Sequence, residues 1–153
     1  MAVAKIQYLR DSKDFYGKEG AKPATENSCG VDLRAILDTP QIIIEAGERY
    51  PVPTGIGIEI LQENIACFLY SRSGLGAKKG LTIAQGVGVI DPDYRGEIIA
   101  YMLNTSQEAI SIEQGDRIAQ IVFQPYVKPL LEESETLSET KRGTGGYGHT
   151  GLK

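Results

Sequence analysis

Apolar residues fall on every second position of TGIGIEI (54–60), where Ile56, Ile58 and Ile60 alternate with glycine or glutamate. That period belongs to a strand with one buried face. Other short β-rich runs are IQYL, VDLRAI, QIIIE, ACFLYS, GVGVI, EIIAYMLN, AISI and RIAQIVFQPYV. Turn formers separate most of them, as in PVPTG, DPDYRG and EQGD. Many short strands with such punctuation predict an all-β chain, an antiparallel sandwich or barrel. Only SGLGAKKG (73–80) suggests a helix, and its glycines keep that helix short.

From about Leu131 the pattern stops. EESETLSETKR is polar and acidic, and RGTGGYGHTG (142–151) holds five glycines in ten residues. Residues 1–130 are therefore expected to form the β-core, with 131–153 as a flexible linker and C-terminal arm. A chain of 153 residues can bury a core as one domain.

Net charge −4 and a pI near 5.1 argue against a general nucleic-acid or membrane-surface binder, which needs a basic face. No apolar run approaches the roughly 20 residues of a membrane span. The N-terminal stretch lacks a secretory h-region, so a cytoplasmic location is expected. Cys29 and Cys67 show no CxxC spacing and read as free thiols. His149 is the one histidine, which rules out a multi-histidine metal site within one subunit. Any hydrolytic chemistry must then rest on carboxylates, water and an oxygen-ligated metal.

Several stretches carry candidate chemistry. In the arm, GTGGYG formally fits GxGxxG, but only five residues follow Gly148, so no helix can complete a dinucleotide fingerprint. It reads either as solvated tail or as a loop closing on phosphate with Arg142 and Thr150, Tyr147 offering a stacking face. Arg72, Ser73 and Gly74 in YSRSGLG combine a cation, a hydroxyl and an open backbone N–H, although Ser73 could equally be a helix N-cap. In GVGVIDPDYRGEI, Asp91 ends a strand beside Tyr94. Arg95 and Met102 stand where a calcium loop needs oxygen ligands, and a hairpin turn accounts for Pro92, Asp93 and Gly96. Asp32 places a charge inside the apolar strand of CGVDLRA and so requires a partner. Gln120 in GDRIAQIVF is a polar group on a strand.

Taken in order, CGVDLRA, YSRSGLG, GVGVIDPDYRGEI, GDRIAQIVF and RGTGGYGHTG resemble the five motifs of the trimeric deoxyuridine triphosphatases, spanning residues 29 to 151. The resemblance implies a β jelly roll that forms a homotrimer with active sites shared between subunits. It implies hydrolysis of dUTP to dUMP and pyrophosphate, with Mg2+ on the triphosphate. Asp91 would be the general base for water attacking the α-phosphorus, and Tyr94 would pack on the deoxyribose. Backbone groups around Val89, Ile90 and Ile99 would read uracil, with Gln85 nearby. Arg72, Ser73, Gly74 and Gln120 would hold phosphates, and Asp32 would act on the metal through bound water. Arg142 and Thr150 would grip the γ-phosphate while Tyr147 stacks on the base, with His149 as a further contact.

The chain departs from the family pattern at Cys29 (alanine is usual), Ser71 (proline), Tyr147 (phenylalanine) and His149 (serine). A second resemblance, to dCTP deaminases, rests on the turn at Ile90-Asp91-Pro92, but Tyr101 stands where those enzymes carry a catalytic glutamate. A nucleotide-binding regulatory module is the reading from another class.

Overall fold

The computed structural model describes residues 3–146. Their strands are β1 (Ala4–Tyr8), β2 (Val31–Arg34), β3 (Gln41–Ile44), β4 (Arg49–Pro53), β5 (Ile56–Ile60), β6 (Ile65–Ser71), β7 (Leu81–Ile83), β8 (Gly88–Ile90), β9 (Ile99–Asn104), β10 (Ile110–Glu113) and β11 (Arg117–Pro125). A 3-10 turn spans Ser12–Tyr16, and the one α-helix among the described residues, α1, spans Ser73–Lys79. The strands pair antiparallel in four groups: β1-β5, β10-β3, β2-β11-β6-β8 and β4-β9-β7. This is the antiparallel all-β architecture that the strand pattern predicts, of the jelly-roll class that the motif resemblance implies. No helix among the described residues is long and apolar enough to cross a membrane.

Side-chain alternation decides which face packs. Along β9, Ala100, Met102 and Asn104 are buried, while Ile99, Tyr101 and Leu103 turn outward. Ile56 and Ile58 of β5 face the core together with Leu33, Ile44, Val52, Leu81, Ile83, Ile112, Ile118 and Ile121. Each such aliphatic side chain contributes roughly 1.5–3 kcal/mol when fully buried.

Three details differ from the sequence reading. The stretch PVPTG looked like punctuation, yet Pro51 and Pro53 lie in β4, opposite Tyr101 and Ile99. β4 is an edge strand, and the Pro53 carbonyl turns away from β9 to accept from the Ile36 N–H at 2.8 Å. On that outer side a missing N–H costs no ladder bond. β8 and β9 form no hairpin with each other: β8 pairs with β6, and β9 with β4 and β7. The turn between them carries the chain from one sheet to another. Finally, Arg72, not Ser73, occupies the N-cap of α1, and no side chain caps it.

Tyr16 ties the layers together. Its hydroxyl donates to the Thr54 carbonyl at 2.8 Å and accepts from the Arg34 N–H at 2.9 Å. Burial pushes this phenol from 10.0 up to about 12, against the lowering effect of the Arg34 N–H. Because the folded state favours the neutral phenol, its contribution is complete below pH 10 and is lost as pH rises towards 12. Tyr16→Phe strands both backbone partners, so urea unfolding at neutral pH should show a loss of about 1–3 kcal/mol. The same variant should lose stability less steeply between pH 10 and 12, and the remaining fall includes Cys67, whose thiol burial also pushes up to about 12.

Candidate active site

The end of β8 opens into a cavity of about 370 Å³, whose lining includes Gln85, Val89, Ile90, Asp91, Tyr94 and Ile99. All six come from the sequence-derived set, and the structure brings them together. Asp91 follows the last residue of β8 and is exposed at the mouth; its carbonyl accepts from the Tyr94 N–H at 3.1 Å, closing a tight turn. The Tyr94 hydroxyl donates to the Glu97 carbonyl at 2.9 Å. That bond lays the ring over residue 96, so a Cβ there would push the ring aside, and glycine lets it stay. Arg95 donates to the Pro92 and Tyr94 carbonyls, at 2.8 and 3.1 Å, and stiffens the turn.

β8 is the last strand of its sheet, paired only with β6. Its outer edge therefore offers backbone N–H and C=O groups with no strand partner among the described residues. An unpaired strand edge is a row of donors and acceptors at fixed spacing. The edge of a planar heterocycle fits such a row.

A second cavity, of about 410 Å³, gathers Asp32, Arg72, Ser73, Gly74 and Gln120, also as the sequence reading grouped them. Asp32 has the partners its strand position requires. Its Oδ1 accepts from Arg72 Nε at 2.8 Å and its Oδ2 from an Arg117 guanidinium N–H at 3.2 Å. Arg72 also donates to the Arg117 carbonyl at 3.1 Å. One carboxylate held by two guanidiniums leaves a local excess of positive charge, beside Ser73 and the open backbone of Gly74. Gln120 donates to the Ser71 carbonyl at 3.1 Å, and its side chain lies where a Cβ on residue 30 would sit, so Gly30 makes room for it. An anion with several oxygens suits this cradle.

Asp32 and Arg117 also bear on metal binding. No group of three or more His, Cys, Asp or Glu side chains converges among the described residues. The donor set fits a cation that arrives on an anionic ligand and meets Asp32 through water.

Within one chain the two cavities stand apart. Asp32 lies on β2 and Ile90 on β8, at opposite ends of the order β2-β11-β6-β8. Three strand spacings separate them, about 14 Å. Asp32 aligns through Gln120 with Tyr70, whereas Ile90 aligns with Cys67, an offset of about 10 Å along β6.

After β11 the chain leaves the core: residues 127–146 are exposed, apart from partly covered Gly145, and carry no strand. Arg142 donates to the Gly145 carbonyl at 2.8 Å and meets neither cavity. Tyr147, His149 and Thr150 lie outside the described residues.

The sequence reading gave no site role to Arg117, Tyr101 or Glu97. Arg117 was legible as the cation of GDR, three residues before Gln120 on the same strand. Glu97 offered no signal beyond its charge. Tyr101, half exposed on β9, lines the mouth of the first cavity. Ser71, where the family resemblance would place proline, accepts from the Ile83 N–H at 2.8 Å, a bond that a proline side chain could not accept. Cys29 is an exposed free thiol at the rim of the second cavity.

An open strand edge beside one cavity and a cationic cluster lining the other, on a sheet of antiparallel strands, give a β-fold with two polar clefts. The sequence model of the dUTPase family matches residues 18–151, and the chain belongs to that family. It is 43% identical to the deoxyuridine 5'-triphosphate nucleotidohydrolase of Desulfitobacterium hafniense over 148 residues, 97% of this chain and 95% of that one. The crystal structure of dUTPase from Streptococcus mutans matches with a TM-score of 0.67 at 32% identity, covering 84% of this chain and 98% of that one. The dUTPase of Staphylococcus bacteriophage 80alpha, solved with dUPNHPP, shares the fold with a TM-score of 0.82 at 22% identity, covering 99% of this chain and all of that one.

The cradle is expected to depend on the forked geometry of Arg72. Arg72→Lys cannot reach both Asp32 and the Arg117 carbonyl. Losing one charge-assisted bond, about 1.5–3 kcal/mol, should weaken inorganic triphosphate binding at least about tenfold by calorimetry.

Proposed function

We propose that this chain hydrolyses dUTP to dUMP and pyrophosphate, lowering dUTP and supplying dUMP for thymidylate synthesis, in active sites completed by a second and a third copy of itself. The observation that carries this is the split site. A base-and-sugar mouth bearing a free carboxylate and an anion cradle are both well formed, yet they sit on opposite flanks of one sheet. Apposing the mouth of one subunit to the cradle of another joins them, and a closed trimer does so three times over.

Uracil enters edge-on against β8, with Val89, Ile90 and Ile99 around it and Gln85 at the side. Backbone groups that pair with one base edge are left unpaired by another, so the wrong base loses strongly. Tyr94, fixed by its hydroxyl, walls the sugar and leaves no room for a 2′-hydroxyl. Arg72, Ser73, Gly74 and Gln120 hold the phosphates of the same nucleotide from the neighbouring subunit. Asp91 accepts a proton from a water aimed at the α-phosphorus as its oxygen bonds to phosphorus and pyrophosphate departs with the electrons of the broken P–O bond. Positioning and charge stabilisation supply most of the rate in such transfers.

The dUTPase resemblance adds Mg2+, which when bound spreads the charge of the triphosphate; Asp32 would hold it through water. The arm of the third subunit closes the site, with Arg142 and Thr150 on the γ-phosphate, His149 alongside and Tyr147 over the base, excluding bulk water. We assign the enzyme to the cytoplasm, where thiols such as Cys29 and Cys67 stay reduced. Deamination of dCTP is not favoured, because Tyr101 supplies no carboxylate at the mouth.

Two measurements test this. Asp91→Asn should bind dUTP normally and release pyrophosphate at least about 100-fold more slowly; turnover at the parental rate would remove Asp91 from the mechanism. Unfolding and refolding Asp91→Asn together with Arg72→Ala should restore activity to roughly a quarter of the sites, since random mixing joins an intact mouth to an intact cradle at that frequency. A mixture as inactive as its components would place both halves of a site on one chain.

A further inference from the structure

The turn that presents Asp91 and Tyr94 is fastened at its far end by a residue that none of the motif assignments uses. Glu97 extends its carboxylate towards the N-terminal segment. Its Oε1 accepts from the Gly55 N–H at 2.7 Å, and its Oε2 accepts from Arg10 Nε at 2.8 Å. Its side chain is only 15% exposed although it forms an ion pair. The same residue's backbone carbonyl is the acceptor for the Tyr94 hydroxyl. Side chain and main chain of Glu97 thus join the tyrosine wall to a point on the opposite strand turn.

The N-terminal end of this tie is itself held in an uncommon backbone shape. Arg10 and Asp11 have φ of 54° and 51°, the left-handed region that non-glycine residues seldom enter. Such a conformation persists only where the surroundings over-determine it. Here the Leu9 N–H donates to the Gly55 carbonyl at 2.7 Å and the Ser12 hydroxyl to the same carbonyl at 2.8 Å. Arg10 is carried by this turn to the one place where its guanidinium meets Glu97, with Asp38 at 3.5 Å on its outer side. Gly55 therefore receives the N-terminal turn through its carbonyl and Glu97 through its N–H. Next along the chain, the Ile98 N–H donates to Ile56 at 2.8 Å, and Thr54 Oγ1 donates to the Ile98 carbonyl at 2.6 Å.

We infer that Glu97, clamped by Arg10 and the Gly55 N–H, is a positioning residue that sets the Tyr94 wall and thereby the exclusion of ribonucleotides. The inference rests on the reading that Tyr94 packs on the deoxyribose. Bonds 97–98 to 54–56 fix the height of the turn's descending leg; the Glu97 carboxylate fixes its rotation, and with it the direction of the carbonyl that Tyr94 must find. A ring free to swing by an ångström opens the volume a 2′-hydroxyl needs. The loss falls on discrimination between sugars, while Asp91, at the other end of the turn, keeps its station.

A double-mutant cycle on the full-length enzyme tests this, with kcat and KM measured for dUTP and UTP. Glu97→Ala and Tyr94→Phe should each lower the ratio of kcat/KM for dUTP over UTP at least about tenfold, chiefly through easier UTP binding. In the Tyr94→Phe background Glu97→Ala should change that ratio by less than about twofold, because its route is already cut. Glu97→Gln, which keeps an acceptor for Gly55, should restore most of the preference. Should Glu97→Ala not assemble, Arg10→Ala, at a part-exposed position, runs the same cycle. A ratio that stays at the parental value while the melting temperature falls, or effects that simply add, would overturn the inference. A parental enzyme that does not prefer dUTP to UTP would instead overturn the proposed function itself.

Discussion

Antiparallel strands stand about 4.8 Å apart, and this spacing governs everything the site can do. In the sheet β2-β11-β6-β8 it holds the cleft at Asp91 and the cleft at Arg72 three strands apart on a scaffold whose side chains interlock at Leu33, Leu69 and Ile121. A packed sheet cannot fold over to bring its edges together without tearing out that core. Each half is thus rigid, and the distance between them is rigid as well. Under the proposed assembly, rigidity becomes useful: the nucleotide bridges two preformed surfaces whose separation no longer depends on the flexibility of either chain.

The electrostatics follow from the same arrangement. The chain carries a net charge of −4, which repels a polyanion at long range. Only a local concentration of cations overcomes that, and within a Debye length of about 8–10 Å local charge is what a ligand feels. Asp32 brings a negative charge into the middle of these cations. Yet without it Arg72, just past β6, and Arg117, on the neighbouring β11, would stand close together with no carboxylate between them, and like charges at close range repel. The carboxylate fixes two guanidiniums side by side and still leaves one positive charge in surplus. A mobile pair of arginines would lose more side-chain entropy on meeting the ligand.

Strands with clear alternation or β-branched runs, such as β5, β6, β9 and β11, were legible in the sequence because packing rewards the periodicity that defines them. β4 was not, since two prolines normally end a ladder; only its place at a sheet edge lets them stay. β7 is three residues long and carries too little pattern to register. The residues of DPDYRG read as a hairpin turn, but sequence does not say which sheet the next strand joins, and β8 and β9 pair with different partners. The members of each cavity were readable as local clusters, as with Arg72-Ser73-Gly74, or Asp91 with Tyr94. Their pairing across the fold was not, because Asp32, Arg72 and Arg117 are brought together by β2-β11-β6 register rather than by spacing along the chain. Glu97 escaped notice for a related reason: its partners at Arg10 and Gly55 are 87 and 42 residues away.

The stretch after β11 has a different logic. Leu130, Leu131 and Leu137 are almost wholly exposed in a segment otherwise rich in acidic and hydroxyl side chains. The core of its own chain is closed without them; the buried cluster is complete by Ile121, with Phe123 packed against it. A leucine in water forgoes roughly 1.5–3 kcal/mol that burial would return. Three of them on one short stretch make a poor solvated tail and a serviceable rail along a neighbouring surface. In the proposed trimer that surface belongs to another copy, so the linker residues need hold only enough area to keep the arm near its target. Under that proposal, docking of the linker would hold Arg142 at a high local concentration beside the neighbouring site.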